Sequence, residues 1–286
     1  MSAIDRALSS LGLSSQVSAS PLTGGCIHDV QYVTLKSGDA VVCKIACGDT
    51  GRRMLESECR GLGALAEVVS VTVPTMCGVV TDEGTTVLVL EYLPRGGSAN
   101  WELAGQQLAA MHMADVGERF GSAEEVWLGS TCLTAGWDDD WCRYLSEQRL
   151  RPLLRDVVDS KTIDASAGRY LDKIIGGLKQ QIPSHPQPSL LHGDLWAGNL
   201  HPTRDGCVAM LDPASSIGDA VADIAMTKLF GGVPNAFYQA WNEAIGELSQ
   251  ERERIAAAQM LHLLNHVRLF GDGYVPRLMA VAETLE

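Results

Sequence analysis

The spacing of apolar positions separates a strand-rich N-terminal part of the chain from a mostly helical remainder. Before residue 93, apolar residues alternate with polar ones or form short runs bounded by turn residues, which is typical of strands. Residues 51–68 differ, because their leucines recur at helical spacing with charged residues between them. We therefore predict a short helix at 3–11, an amphipathic helix at 51–68, and strands at 14–22, 30–35, 40–46, 76–80 and 85–90.

Helix-breaking residues cluster at 94–98 (PRGGS), where the composition also changes. We therefore expect an α+β protein of two lobes: a small antiparallel sheet with one main helix in 1–93, and a larger, mostly helical lobe in 94–286. A ligand would lie in the cleft between two such lobes. The pattern beyond the boundary predicts strands only at 200–201 and 207–211, and helices at 101–115, 137–150, 163–181, 221–229, 235–245 and 252–269.

Composition and charge narrow the classes of function. The 286 residues carry a net charge of −13, with a pI near 4.9, so nucleic acid and anionic membranes are unfavourable partners. The first residues show no basic segment followed by an apolar one, and no apolar run is long enough to span a bilayer. The eight cysteines include no C-x-x-C pair, which favours free thiols in the cytoplasm over a disulfide framework or a zinc site. The sequence leaves the oligomeric state open.

The strongest chemical signal is the segment LHGDLWAGN at 191–199, followed by MLDP at 210–213. It places Asp194 and Asn199 five residues apart, with Asp212 after the next strand. Phosphoryl transfer needs such groups: one carboxylate orients the attacking hydroxyl and accepts its proton, while an amide and a second carboxylate hold Mg²⁺ against the phosphates. We therefore predict Asp194 as the catalytic carboxylate, Asn199 and Asp212 as metal ligands, and ATP as the phosphate donor. Each piece alone would also suit an ordinary turn or strand end.

Lys44 lies in the otherwise apolar strand AVVCKIA, and Glu58 follows on the predicted helix. A lysine is costly to bury unless it is paired, so we expect Glu58 to hold Lys44 while the lysine contacts nucleotide phosphates. Glu56 is a competing partner, but two residues away on a helix it faces elsewhere. The alternative is a lysine whose ammonium group reaches solvent from an edge strand.

Two further segments are candidates for nucleotide contacts. Gly24, Gly25 and Cys26 lie between two predicted strands, where glycines let backbone N–H groups approach phosphate; a plain hairpin turn explains them equally well. Backbone N–H groups aimed at phosphate would also favour the thiolate of Cys26, which makes reversible oxidation a hypothesis, beside that of a small residue chosen for fit. Glu91 and Leu93 end an apolar strand at the hinge, where backbone groups are placed to bind an adenine edge.

Beyond these residues, a family pattern is carried by GGCI at 24–27, Lys44, Glu58 with GL at 61–62 and Leu65, LVLEYL at 88–93, LAAMH at 108–112, HGDLWAGN at 192–199, GDAVADIAMTKLFGG at 218–232, LLNH at 263–266 and FGDGY at 270–274. In this order the segments resemble the protein-kinase-like fold, and more narrowly the fructosamine kinase (ketosamine 3-kinase) family, which is related to aminoglycoside phosphotransferases. The resemblance covers nearly the whole chain. It departs from the family at Met54, where many members have a bulky aromatic residue, and at 126–137, which lies near the sugar side in the family.

The resemblance implies that the acceptor is the 3-hydroxyl of a ketosamine, a sugar linked to an amine by glycation, and that the reaction serves protein deglycation. It implies that Trp196 faces the sugar and that His266 borders the same pocket. The alternatives are a tryptophan that anchors the loop and a buried histidine bonded to backbone. Asp223 and His192 would support the catalytic loop, 192–199. Asp219 is either a pocket acid or, as we favour, a cap of the following helix.

Two other functions stay open from the sequence. One is a kinase for another small amino or hydroxylated metabolite, such as an aminoglycoside, for which the acidic charge is equally suitable. The other is a nucleotide-binding pseudokinase that acts as a regulator. The presence of all five residues expected for phosphoryl transfer speaks against the pseudokinase; they are Lys44, Glu58, Asp194, Asn199 and Asp212.

Overall fold

The computed structural model describes residues 1–22, 28–68 and 71–286. In chain order, its strands are β1 Gln16–Pro21, β2 Asp29–Leu35, β3 Ala40–Cys47, β4 Met76–Asp82, β5 Thr85–Glu91, β6 Phe120–Ser122, β7 Val126–Leu128, β8 Thr131–Leu133, β9 Gly136–Asp138, β10 Pro188–Leu191, β11 Leu200–Pro202, β12 Val208–Met210 and β13 Ser216–Asp219. Its helices are α1 Ala3–Ser10, α2 Gly48–Glu67, α3 Trp101–His112, α4 Trp141–Arg143, α5 Arg151–Asp159, α6 Ala165–Gln181, α7 Val221–Phe230, α8 Asn235–Ile245, α9 Glu251–Phe270 and α10 Val275–Ala282. A π-helical segment, Tyr144–Leu150, joins α4 to α5.

Packing divides the chain into two compact units. The first combines Met1–Asn100 with Gly198–Pro213, and the second combines Trp101–Ala197 with Ala214–Glu286. Antiparallel sheets and helices occupy largely separate stretches of sequence, which confirms the predicted α+β class. The boundary expected after residue 93, between a nucleotide-binding and a catalytic lobe, stays a prediction.

The first unit is built on a five-stranded antiparallel sheet with the order β1-β2-β3-β5-β4. Strand β3 is central, and its alternate residues point to opposite faces. Cys43 packs in a core cluster with residues of α1, whereas Ala46 packs in another with Leu55 of α2. Lys44 lies two residues before Ala46 and shares its face, so the fold directs this lysine toward α2.

The second unit has a helical core and a smaller sheet. Residues of α5, α6, α7, α9 and α10 form one large buried cluster, and α3 packs on α8. Four short strands pair in the order β10-β13-β6-β9, and β7 pairs with β8. None of the helices in the described part of the chain combines the length and the apolar character needed to cross a membrane.

The helix predicted over 137–150 is wrong at its start. Gly136–Asp138 pairs with β6, and the helix begins only after Asp140, whose side chain accepts the backbone N–H of Arg143 at 2.9 Å. The strands between 120 and 138 were not predicted, because each has only three residues. An alternating pattern cannot be recognised over so few positions. The segment that departs from the family pattern therefore forms strands instead of extending the helix.

Candidate active site

Lys44 of the first unit is buried and contacts two carboxylates. It is 7 % exposed, and Nζ donates to Glu58 Oε1 at 2.5 Å and to Asp212 Oδ1. Glu58 lies on the buried face of α2. Glu56, the competing partner considered from the sequence, instead accepts from Arg52 Nη1 at 2.8 Å. The strand and the helix thus bring together the two residues that the sequence paired, with Asp212 as a third.

Burial and charge act in opposite directions within this cluster. Desolvation alone would lower the pKa of Lys44, but the carboxylates of Asp212 and Glu58 outweigh it and raise that pKa. Burial raises the pKa of Glu58 to about 7, because the contact with Lys44 only partly offsets desolvation and Asp212 adds a like charge. The cluster therefore holds one cation and two carboxyl groups, of which Glu58 is partly protonated near neutral pH.

Asn199 and Asp212 flank the two-stranded sheet of β11 and β12. The N–H of Leu211 donates to the Asn199 carbonyl at 2.9 Å, so the start of one strand lies beside the end of the other. Asn199 is 6 % exposed, whereas the side chain of Asp212 is 46 % exposed. Asp212 also has φ +55°, a left-handed conformation that costs free energy in a non-glycine residue and clusters at functional sites.

The chemistry of these two side chains fits Mg²⁺. That ion is usually bound through one or two protein oxygens and completes its coordination with water and phosphate oxygens. Asn199 and Asp212 offer an amide and a carboxylate oxygen from neighbouring strand ends. Within 1–22, 28–68 and 71–286, no cluster of three or more histidine, cysteine, aspartate or glutamate side chains has the arrangement of a metal site. A Mg²⁺ ion held here would complete its coordination with water and phosphate oxygens.

Helix α2 also packs directly against the residue that follows Asp212. A Cβ added to Gly61 would lie 3.0 Å from Pro213 Cγ, a separation that leaves no room for a larger side chain without displacement. Gly61 comes three residues after Glu58 in the same helix. One face of α2 therefore positions the carboxylate that holds Lys44 and fixes the distance to the Asp212 segment.

The glycine loop remains a sequence-based prediction. Gly24, Gly25 and Cys26 lie outside the described residues. His28, which follows them, was not selected from the sequence, although it is half-buried at the start of β2. Burial lowers the pKa of His28, and the charge of Lys44 lowers it further. His28 is therefore close enough to Lys44 to be affected by its charge. In the sequence, only its position next to the glycine loop could have indicated this.

The backbone at the end of β5 and just after it makes hydrogen bonds inside the first unit. The N–H of Glu91 donates to the Thr75 carbonyl at 2.8 Å, and the Leu93 carbonyl accepts from His201 Nε2 at 3.0 Å. These contacts fix the end of β5 and the residues after it. The binding of an adenine edge by Glu91 and Leu93 stays a prediction.

In the second unit, backbone hydrogen bonds hold the loop that carries Asp194. The N–H groups of His192 and Gly193 donate to the two oxygens of Asp223 at 2.8 and 2.9 Å, and the Ala214 N–H donates to the His192 carbonyl at 2.8 Å. Gly193 has φ +83°, and a Cβ there would lie 2.0 Å from the Ala214 carbonyl oxygen, so a side chain does not fit. The N–H of Asp194 donates to His192 Nδ1 at 3.3 Å. The backbone leading to Asp194 is thus tightly specified.

Asp223 makes the backbone contacts that the resemblance implied, and it is 1 % exposed. Its Oδ2 also lies 3.1 Å from His112 Nε2, and Trp241 Nε1 donates to His112 Nδ1 at 3.0 Å. Burial alone would raise the pKa of Asp223, but hydrogen bonds from His112 and from the backbone of Gly193 outweigh it and hold the pKa below its usual value. Asp223 is therefore ionised in the interior of the unit.

Asp219 is not the N-cap of α7 that we favoured, because Ala220 holds that position, but its side chain still binds the start of the helix. Its Oδ1 accepts the N–H of Val221 at 3.1 Å, at the start of α7. Arg254 donates to both of its oxygens at 2.6 and 2.8 Å, and both residues are buried. These partners engage the carboxylate fully, which does not suit an acid that meets a ligand.

Trp196 follows Asp194 by two residues and is 38 % exposed, so its ring is not part of the core. The next residue, Ala197, packs near the end of α7, since a Cβ added to Gly232 would lie 3.0 Å from its Cβ. The Gly231–Gly232 turn therefore allows the catalytic loop to approach the residues around Phe230.

His266 lies in a cluster of aromatic rings. Its ring centroid lies 4.9 Å from that of Phe230, 5.0 Å from that of Tyr274 and 5.4 Å from that of Phe270. Its Nδ1 donates to the His262 carbonyl at 2.7 Å, the backbone bond that the alternative interpretation expected. Phe270 is 59 % exposed. Sequence reasoning did not select the three aromatic residues, although His266 and Phe270 stand at helical i, i+4 spacing.

The chain matches known proteins over most of its length. The family model described as fructosamine kinase matches residues 2–285. The chain is 35 % identical over 267 residues to a probable ketoamine kinase of Thermus thermophilus, covering 93 % of this chain and 94 % of that protein. It is 30 % identical over 295 residues to the ketosamine-3-kinase of Mus musculus, covering 92 % and 93 %.

A crystal structure from Thermobifida fusca, described as a candidate fructosamine-3-kinase, superposes with a TM-score of 0.88 at 27 % identity, covering 99 % of this chain and 98 % of that one. This match and the family model confirm the predicted kinase-like fold. The chain belongs to the fructosamine kinase family and is an ATP-dependent phosphotransferase.

Proposed function

We propose that this kinase transfers the γ-phosphate of ATP to the 3-hydroxyl of a ketosamine, and so acts in protein deglycation. The observation that carries the proposal is the similarity to a ketosamine-3-kinase over more than nine-tenths of both chains. The name of that relative specifies both the class of acceptor and the hydroxyl position. The sequence also contains every residue that we expect phosphoryl transfer to need.

On the donor side, Lys44 binds nucleotide phosphate oxygens while Glu58 holds it in place. The half-exposed Asp212 carboxylate, which contacts Lys44, is the group that would help to hold a metal ion beside the nucleotide. Mg²⁺ held by Asn199 and Asp212 would neutralise negative charge on the phosphate oxygens. The unusual backbone conformation of Asp212 supports this role, since strained residues persist where function requires their direction.

On the acceptor side, Asp194 accepts the proton of the attacking hydroxyl. The O–H bond breaks toward a carboxylate oxygen of Asp194 as the hydroxyl oxygen bonds to the γ-phosphorus. The bond between that phosphorus and the β,γ-bridging oxygen breaks in the same step, and ADP leaves with the bonding electron pair. The hydrogen bonds from His192 and Gly193 to Asp223 support this role, because they fix the backbone before Asp194. A fixed general base avoids the entropic cost of orienting it during each reaction cycle.

The sugar is proposed to contact the exposed ring of Trp196, with His266 nearby. Flat aromatic faces suit the C–H surface of a sugar ring. The hairpin of β7 and β8 adjoins this part of the unit: Asn265, beside His266, donates to the Leu128 carbonyl at 3.2 Å and accepts from Thr131 at 2.5 Å. Because that hairpin lies in the segment that departs from the family pattern, we place acceptor selectivity there.

The proposed compartment is the cytoplasm. The seven cysteines within the described residues are all free thiols. Free thiols are maintained in reducing compartments, whereas oxidising ones favour disulfides. A thiol titration of the native protein that finds no disulfide would support this part of the proposal.

The experiment measures ATP consumption with ribulose-, erythrulose- and fructose-lysine, with the free sugars, and with aminoglycosides. We expect turnover with ketosamines and the phosphate on the 3-hydroxyl by NMR. Preferential turnover of an aminoglycoside would show that the proposed class of acceptor is wrong. No turnover with any acceptor would favour a pseudokinase.

The role of Asp194 has its own test. Asp194→Asn should remove nearly all transfer and leave ATP affinity within a few-fold, with Asp115→Asn, on the exposed surface, as the control. A variant that kept more than about a tenth of the wild-type kcat, a loss of only ~1.4 kcal/mol in the barrier, would show that Asp194 is not the base.

A further inference from the structure

A chain of buried hydrogen bonds runs from α8 through α3 to the catalytic loop. Trp241 Nε1 donates to His112 Nδ1 at 3.0 Å, and His112 Nε2 lies 3.1 Å from Asp223 Oδ2. All three residues are 1 % exposed. Asp223 then accepts the N–H groups of His192 and Gly193, the two residues that precede Asp194.

The contact with Trp241 determines which ring nitrogen of His112 carries the proton. An indole N–H can only donate, so His112 Nδ1 must accept. The single ring proton therefore lies on Nε2, from which it is donated to Asp223. A doubly protonated ring would oppose two N–H groups across 3.0 Å. His112 is thus a neutral imidazole with one orientation and one tautomer.

The donor from His112 matters because Asp223 is charged and buried. Its Oδ2 is shared by His112 and the N–H of His192, while Oδ1 accepts from Gly193. Removing one of three donors from a buried carboxylate leaves part of its charge uncompensated. The carboxylate then turns toward any other donor, and the backbone bonds that it makes turn with it.

We propose that His112 is a positioning residue for phosphoryl transfer: kept neutral and singly oriented by Trp241, it orients Asp223, which fixes the backbone leading to Asp194. The inference rests on the proposed role of Asp194 as the base. A displacement of about 1 Å in a reacting group lowers rates roughly a hundredfold, so the effect of His112 appears in catalysis. It does not appear in the binding of ATP, because His112 is no part of the predicted nucleotide site.

The first test compares three variants at position 112 and a matched control. His112→Leu fills the space without a donor and should lower kcat roughly tenfold to a hundredfold, with KM for ATP within about twofold of wild type. His112→Gln restores an N–H near the position of Nε2 and should recover most of the loss, whereas His112→Met should not.

The control is His262→Leu. His262 is 3 % exposed, and although burial lowers its pKa, the charge of Asp223 acts to raise it. Its Nδ1 has no hydrogen-bond partner among the described residues. It should keep kcat within about twofold. Equal losses in His112→Gln and His112→Leu, or a rise in KM for ATP that accounts for the whole effect, would overturn the proposal.

The second test uses Trp241→Phe, which keeps an aromatic ring and removes the N–H. We expect a loss of kcat of a few-fold in the wild-type background and no further loss in His112→Leu, because Trp241 acts through His112. Two losses that simply multiply would mean that each residue acts by separate packing. Melting temperatures of all variants are measured first, and kinetics are recorded well below the lowest of them.

A third measurement needs no variant at position 112. Long-range ¹H–¹⁵N correlation spectra of ¹⁵N-histidine-labelled protein should show His112 with an unprotonated Nδ1 and a protonated Nε2, and Trp241→Phe should change that signal. A doubly protonated ring in wild type would overturn the proposal even if no His112 variant folds. Failure of the Asp194 assignment is distinguishable, because Asp194→Asn would then retain activity while the His112 spectrum and the His112–Trp241 coupling persist.

Discussion

Each compact unit contains a buried ion pair, and the two pairs differ in how their charges balance. In the second unit, Arg254 meets one carboxylate, Asp219, with two nitrogen–oxygen contacts of 2.6 and 2.8 Å. In the first unit, Lys44 meets two carboxylates, Glu58 and Asp212. The side chains of Arg254 and Asp219 are 7 % and 3 % exposed, whereas that of Asp212 is 46 % exposed.

The difference is the one that the proposed function expects between a structural pair and a pair that serves a ligand. The planar guanidinium matches a carboxylate in both shape and charge, so Arg254 and Asp219 satisfy each other and join β13 to α9. An ammonium group is a point charge with three donors. Lys44 can therefore keep Glu58 and exchange Asp212 for phosphate, and Asp212, which water already reaches, can bind a cation. An unbalanced buried pair is a stronger indication of a site than a balanced one.

The largest expected effect is on the balanced pair. Arg254→Met should lower the free energy of unfolding by about 3–5 kcal/mol, because Asp219 is left charged and buried without its partner. Urea denaturation measures the loss, with Arg119→Met, which breaks an exposed pair with Asp139, as a control of much smaller effect. The KM for ATP of the folded variant should stay near that of wild type. A stable Arg254→Met protein with impaired ATP binding would reverse the comparison.

Lys44→Met should show the opposite pattern. We expect kcat/KM for ATP to fall roughly a hundredfold to a thousandfold, as for the loss of one electrostatic contact in a transition state. Stability should change little, because Glu58, with its raised pKa, can take up a proton when Lys44 is absent. Steady-state kinetics and thermal unfolding measure the two effects, and Lys36→Met on the exposed surface of the same unit is the control. Loss of folding instead of activity would make Lys44 a structural residue.

Glu58→Ala should have an intermediate effect, since Lys44 then loses the residue that holds it. We expect a fall of roughly tenfold in kcat/KM, in line with the loss of a buried partner of a charged group. In the double variant with Lys44→Met, Glu58→Ala should add almost nothing, because the two act as one unit. Effects that add fully would mean that the contact is not used.

The last prediction concerns the dependence of stability on pH. Folding raises the pKa of Glu58 from 4.5 to about 7, so the folded protein retains a proton that the unfolded chain releases. The stability from this group is fully present below pH ~4.5 and is lost as pH rises toward ~7. Glu58→Gln keeps the neutral form at every pH. As pH rises across this interval, the unfolding free energy of wild type should therefore fall relative to that of Glu58→Gln. A difference between the two proteins that does not change with pH would contradict the raised pKa.

The contact between Lys44 and Glu58 followed from local patterns. Strand alternation put Lys44 on one face of β3, and helical spacing put Glu58 on the inner face of α2, so their meeting was predictable from short segments. The contacts of the second unit were not. Trp241 and His112 are 129 residues apart in the sequence. No short motif could have linked them. The pairing of Arg254 with Asp219 likewise depends on tertiary packing, which the local spacing of apolar residues does not predict.

The packing of Gly61 against Pro213 has a consequence for how activity can be adjusted. Glu58 and Gly61 lie on one helix, so the side-chain volume at position 61 sets the spacing between α2 and the Asp212 segment. A single added methyl group would push the two apart by a few tenths of an ångström and would leave the identity of every charged residue unchanged. The size of the side chain at position 61 can thus adjust the geometry of the Lys44 ion pairs, although Gly61 itself has no functional group. Substitutions in α2 can therefore change the rate of the enzyme without replacing any residue that takes part in the chemistry.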